Sequence, residues 1–182
     1  TFEYYLDQLL FTGMHPIIPD VILGDMVAYE KAGIKTHMVL QVCSWELLPD
    51  LNQLIFAKGI WDEKLDAEGF IESLAKAIAG DYAKIWIKYL EAKRRIFQKA
   101  LELCDYDFQI YLDYRWLPEG NSDFGKRMAK VYLEASEALQ KAADEFASGI
   151  SEGWSQRLKN LAEGEVRRSE FESAELMSVY YQ

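Results

Sequence analysis

The chain has 182 residues, half of them hydrophobic and 14% aromatic, so it can bury a core of its own. Its 30 acidic and 20 basic residues give a formal charge of -10, which opposes contact with phosphate backbones and anionic membranes. No apolar run approaches the ~20 residues that a transmembrane helix needs. Composition and charge therefore exclude nucleic acid and membranes as predicted partners.

Metal and cofactor chemistry has no signature in the sequence. Cys43 and Cys104 lie far apart without CxxC spacing, so neither a zinc site nor a redox pair is predicted; two free thiols and one long-range disulfide both fit. His15 and His37 have no second ligand at metal spacing, and His37 is interpreted as structural. No glycine-rich phosphate loop is present. We predict no metal and no cofactor. The N-terminus does not resemble a signal peptide, and the localisation is left open.

The first sixty or so residues alternate between strand and helix patterns. Residues 2–6 are aromatic-rich and short, which indicates a strand, and residues 36–43 read as a buried strand. Between them, Pro19 fits the first turn of a helix, and Gly33 can end that helix in a left-handed conformation. The order strand, helix, glycine, strand predicts a βαβ unit with parallel strands and a right-handed crossover.

From residue 51 onward the pattern is helical. Apolar residues at helical spacing predict a helix at 51–60 and another ending near Gly80. Three long helices are predicted at 82–104, 122–148 and 154–178, the last with a break near Gly164, and they fit a three-helix packing unit. The predicted fold class is mainly α with a small βαβ element, divided into residues 1–62 and 63–182.

A resemblance to a known family is carried by the N-terminal part. Glu3-Tyr-Tyr lies on a predicted strand, Asp25 to Gly33 closes a helix, and Trp45 precedes Leu54-Ile-Phe-Ala-Lys-Gly-Ile-Trp61-Asp62. Residues 1–90 resemble the end of the catalytic barrel in bacterial glycoside-hydrolase-like proteins related to α-glucuronidases and β-hexosaminidases. The resemblance implies the last strands of a (β/α)8 barrel in residues 1–62, a C-terminal helical bundle in 63–182, and a carbohydrate substrate of the parent protein.

Carboxylates near the predicted strand ends are the candidates for catalysis. Glycosidases use two carboxyl groups about 5–10 Å apart, and barrel active sites form at the C-terminal ends of the strands. Glu3, Asp7, Glu46 and Asp50 lie nearest to those ends, and solvated loop charges are the competing interpretation. Glu46 is the best catalytic candidate because it follows Trp45 directly after a strand.

Aromatic and polar loop residues complete the predicted sugar site. Trp45 lies in a polar loop where its ring could stack on a sugar face, and His15 lies in the proline-flanked loop after the first strand. Trp61 lies in an apolar helical stretch and is predicted to be core. The predicted substrate-binding residues are Tyr5, Asp7, His15, Trp45 and Glu46.

The main functional hypothesis is that the chain is part of a carbohydrate-active glycoside-hydrolase-like protein. It contributes one wall of a sugar site and helical support, and it is inactive alone; whether it should be counted as an enzyme is left open. The alternative is a non-catalytic helical oligomerisation or protein-interaction module. Two parallel strands leave unpaired edges, so the predicted partners besides carbohydrate are the remainder of the barrel or a second copy of the chain.

Overall fold

A computed structural model describes residues 1–7, 16–42, 51–62, 64–103 and 122–180. The predicted connection at 105–121 and both cysteines lie outside these ranges. The elements follow one another in this order: β1 (Phe2–Asp7), α1 (Pro19–Lys31), β2 (Met38–Val42), α2 (Leu51–Gly59), α3 (Ala67–Ala79), a 3-10 turn (Gly80–Tyr82), α4 (Ala83–Leu103), α5 (Ser122–Gly149) and α6 (Gln156–Tyr180).

The three long helices form the main core, as predicted. On α5 the buried residues Val131, Ala135, Leu139, Ala142 and Phe146 recur at the spacing of one helical face. One cluster joins this face to Phe97 and Ala100 of α4 and to Leu176 of α6, and a second joins it to Tyr89 and Trp154. The helix α6 continues through Gly164, so the predicted break at that residue is wrong.

The N-terminal helices pack on one another and on the bundle. Pro19 begins α1 and Gly33 closes it at a φ of 73°, both as predicted. Ile22 of α1, Ile55 of α2 and Ile71 of α3 form a buried cluster. Arg94 of α4 pairs with Asp20 of α1 and with Glu68 of α3. The first helices and the bundle are therefore connected through both apolar and ionic contacts; the predicted division at residue 62 stays a prediction.

The strands β1 and β2 form a two-stranded parallel pair. Phe2 lies opposite Met38 at one end, and Asp7 lies opposite Val42 at the other. The N-terminal amine donates a hydrogen bond to the carbonyl oxygen of Thr36 at 2.8 Å, which fixes the start of the pair. In the ranges that the structure describes, no further strand extends this sheet.

The predicted fold class is wrong, because the fold is built by helices and the described residues contain no barrel end. In a barrel, the crossover helix covers the sheet, which is buried on both faces. Here α1 instead packs mainly against α2 and α3, and it buries Ile22 there. The layered βαβ element that was predicted is therefore not seen. The order strand, helix, glycine, strand gives no information about the surface on which the helix packs, and this is why the prediction failed.

A second correction concerns Trp61. We predicted a core residue, but its side chain is 87% exposed, in a turn that follows α2. The helix ends at Gly59, so Trp61 falls beyond the last turn and off the apolar face. Hydrophobic neighbours in the sequence cannot reveal this, because they do not show where the helix stops.

Candidate functional site

A group of four ionisable side chains lies inside the bundle, between α4 and α6. The Nζ of Lys93 is 3.0 Å from Oε1 of Glu172, and each of these side chains is only 2% exposed. The Nε of Arg168 donates to the same oxygen at 3.1 Å. Nη1 of Arg168 also lies 3.5 Å from Glu165. Two cations and two carboxylates thus neutralise one another in the core.

Helical spacing explains why these charges face inward. On α4, Lys93 lies one turn after Tyr89 and one turn before Phe97, and all three are buried. On α6, Glu165, Ser169, Glu172 and Leu176 follow the same spacing and are all buried. The inward face of α6 is therefore largely polar, whereas the inward face of α5 is apolar.

Tyr89 extends this polar cluster toward the middle of α6. Its hydroxyl donates to the carbonyl oxygen of Glu165 at 3.1 Å and is hydrogen-bonded to the Ser169 hydroxyl. Burial raises the pKa of the Tyr89 phenol well above its ordinary value of 10.0, and the negative charge of Glu165 adds to the rise. Tyr89 is therefore a neutral hydrogen-bonding group at physiological pH.

A second polar contact joins α5 to α6. The hydroxyls of Ser136 and Ser173 are 2.7 Å apart, and each also donates to the other's carbonyl oxygen at 3.2 Å. This reciprocal pair satisfies both buried hydroxyls. In contrast, Oε2 of Glu172 has no hydrogen-bond partner among the residues that the structure describes. The arrangement is suited to holding α6 in place on its neighbours rather than to reacting with a solute.

Asn52, in the first turn of α2, is buried and hydrogen-bonded to the segment before α1. Its side chain is 1% exposed. The amide nitrogen donates to the carbonyl oxygen of Pro16 at 2.7 Å, and the amide oxygen accepts from the backbone N–H of Ile18 at 3.1 Å. Asn52 thus ties α2 to the segment that leads into α1.

The structure describes the backbone of two predicted substrate-binding residues and none of the other three. Tyr5 and Asp7 lie on β1, and Asp7 is at the end where β1 and β2 finish side by side. His15, Trp45 and Glu46 lie outside the described residues. The assignment of Glu46 as the catalytic candidate, and of these five residues to a sugar site, stays a prediction.

Sequence reasoning missed Lys93, Glu172 and Asn52. The apolar stripe assigned to α4 ran through Tyr89 and Phe97, and Lys93 lies midway between them on the same face. That position was the available signal, because a charge inside an apolar stripe requires a buried partner. Asn52 carried no comparable signal.

Comparison with protein families, with curated proteins and with solved structures finds no match for this chain. Within the described ranges, no three His, Cys, Asp or Glu side chains are grouped to hold a metal ion. None of the helices that the structure describes combines the length and apolar character needed to cross a membrane.

Proposed function

We propose that the chain is part of a carbohydrate-active, glycoside-hydrolase-like protein. It contributes one wall of a sugar site and helical support, and it does not hydrolyse glycosides by itself. The support for this proposal is the resemblance in residues 1–90 together with one structural observation, the buried side chain of Asn52.

Asn52 supports the proposal because it relates the two segments that carry the predicted sugar-binding residues. Asp7 and Val42 are partners in the strand pair, so the segments after them leave from neighbouring positions. The first segment contains His15 and leads to Pro16, whose carbonyl oxygen Asn52 binds. The second contains Trp45 and leads to α2, where Asn52 itself lies. Recognition of a sugar needs its contact residues held at fixed spacing by supporting hydrogen bonds of this kind.

Helical support is the second part of the proposal. Arg94 of the bundle pairs with Asp20 in α1 and Glu68 in α3, and the Ile22 cluster also contacts Leu90 of α4. The α1–α2 segment that holds the predicted wall is thereby anchored to a long-helix bundle. A site built on packed helices keeps its geometry better than one held by loops alone.

The test is saccharide binding by the purified 182-residue chain. Neutral, N-acetylated and uronic-acid oligosaccharides are titrated in turn and followed by tryptophan fluorescence and calorimetry. We expect weak binding of one class, lost in Trp45→Ala and reduced in Asn52→Ala, with no release of sugar from aryl glycosides. Asn160→Ala, a change of the same type at an exposed position on α6, should bind as the parent chain does. A folded chain that binds none of the three classes contradicts the proposal.

A second candidate function, a non-catalytic interaction module, is favoured by the exposure of Ile60 and Trp61. Their side chains are 49% and 87% exposed, and adjacent exposed apolar residues are common at protein contacts. If this function is the correct one, Trp61→Ala abolishes association with a protein partner. Neither the parent chain nor the variant then binds saccharides.

A further inference from the structure

An open groove of about 330 Å³ runs between α4 and α5, and no α6 residue lines it. Its floor is apolar and consists mainly of alanines, among them Ala92, Ala138 and Ala142. Charged side chains border the floor on both helices. Small residues at the floor allow other helices to pack closely against α4 and α5.

The charges on the two borders are complementary. On α4 the groove is bordered by Arg95 and Lys99, and Lys88 lies beside it. On α5 it is bordered by Glu134 and Glu145, with Lys141 between them. Nζ of Lys99 is 3.2 Å from Glu134, and Nζ of Lys88 is 3.5 Å from Glu145. The two pairs are separated by the same number of residues along α4 as along α5. They therefore fix which residues of the two helices lie at the same height.

We propose that this groove is the docking surface for a second copy of the chain. A twofold axis parallel to the helices places α5 of the second copy over α4 of the first, without changing heights along the axis. Lys88 then faces Glu145 of the second copy, and Lys99 faces Glu134 of the second copy. The pattern that pairs α4 with α5 inside one chain therefore also pairs them between chains, in an antiparallel four-helix arrangement.

Lys141 strengthens this assignment. It borders the groove on α5, is exposed, and makes no ion pair with any described residue. In the same register Lys141 lies level with Ala92 of α4. The next residue is Glu91, whose side chain is 56% exposed and 3.8 Å from Arg95 of its own helix. In the dimer Lys141 faces Glu91 of the second copy, so this pair forms between chains and not within one.

The size of the surface sets the expected affinity. A helix as long as α4 spans ~31 Å, and two helices side by side present a face ~20 Å wide. The two copies together then bury ~1,200 Å², the lower end of the range for specific interfaces. A reversible dimer is expected, visible at tens of micromolar and dissociated by dilution. This inference does not rest on the proposed carbohydrate function.

The test is sedimentation equilibrium of the full chain over a wide concentration range. Lys141→Glu places like charges opposite each other and should raise the dimer dissociation constant at least ~10-fold. The double variant Glu91→Lys with Lys141→Glu restores opposite charges and should recover the dimer. Arg157→Glu on α6 makes the same change in net charge outside the groove and should leave the dimer intact.

The outcomes separate the dimer from its alternatives. Ala138→Arg fills the groove and should give a folded monomer, checked by circular dichroism. A parent chain that stays monomeric throughout overturns the proposal. A dimer that Lys141→Glu and Ala138→Arg leave unchanged overturns it as well, because the copies then associate through another surface. Equal weakening by Lys141→Glu and Arg157→Glu would show repulsion by net charge alone.

Discussion

Removing Glu172 should destabilise the fold more than removing Lys93, although the two form one ion pair. Glu172→Gln leaves Lys93 without its carboxylate in a site where only 2% of the side chain is exposed. It also takes a carboxylate from Arg168. Lys93→Met leaves Glu172 still paired with Arg168 at 3.1 Å. The structure therefore ranks the two substitutions.

The magnitudes follow from the cost of an unpaired buried charge. Breaking a buried pair typically costs about 3–5 kcal/mol, and Glu172→Gln should fall in that range. Lys93→Met should cost about 1–3 kcal/mol, because Arg168 continues to neutralise the carboxylate. Lys88→Met removes a pair whose side chains are 74% and 54% exposed, and such exposed pairs contribute about 0–1 kcal/mol.

Urea unfolding followed by circular dichroism measures all three variants, with the free energy of unfolding taken from midpoint and slope. The expected order of destabilisation is Glu172→Gln, then Lys93→Met, then Lys88→Met. If Glu172→Gln loses less than about 1 kcal/mol, the cluster is not sealed from water and the reasoning fails. The reverse order of the first two variants would show that Arg168 does not compensate.

Three further predictions concern stability and pH. Asn52→Ala leaves the carbonyl oxygen of Pro16 and the N–H of Ile18 without their hydrogen-bond partner. It should lower the free energy of unfolding in urea by about 2–4 kcal/mol, while Asn160→Ala at an exposed position should change it by less than about 0.5 kcal/mol. Gly80 has a φ of 55°, which an alanine adopts only with strain, whereas a Cβ added at Gly24 inside α1 would meet no described atom within 4 Å. The melting temperature should therefore fall in Gly80→Ala and rise in Gly24→Ala, each by the equivalent of about 1 kcal/mol. Burial raises the pKa of Tyr89 above its ordinary value of 10.0, so the contribution of Tyr89 to stability is fully present below pH 10 and is lost as the pH rises further. Urea midpoints measured from about pH 8 to about pH 11 should therefore fall less steeply in Tyr89→Phe than in the parent chain.

The helices could be predicted from the sequence because their apolar residues keep one period over many turns. Along α5, Val131, Ala135, Leu139 and Ala142 mark one face without interruption, and the helix ends within a residue of the predicted limit. Gly33 and Pro19 were equally informative, because each has a conformational preference that fits few positions. Local rules of this kind do not depend on the rest of the fold.

The packing partners of α1 could not be predicted in the same way. Ile22 is fully buried, and its partners Ile55 and Ile71 come from helices that follow much later in the chain. A strand pair could have offered an equally apolar surface. Choosing between the two surfaces requires three-dimensional shape, which periodicity does not contain. The predicted barrel end failed at this step, and the assignment of Trp61 failed at a helix end.

The polar face of α6 explains why a buried ion pair is useful in this bundle. Among the α6 side chains that the structure describes, Leu158, Ala162 and Leu176 are the buried apolar ones. Small or flexible apolar contacts tolerate sliding by one turn. Such a slide moves the helix by ~5.4 Å, which separates Glu172 from Lys93 and leaves both charges buried without partners. We therefore expect the pair to select one register of α6. Replacing both residues by leucine should restore most of the stability lost in Glu172→Gln, while amide NMR signals of α6 broaden or double. A double variant with one sharp set of signals would show that apolar packing alone fixes the register.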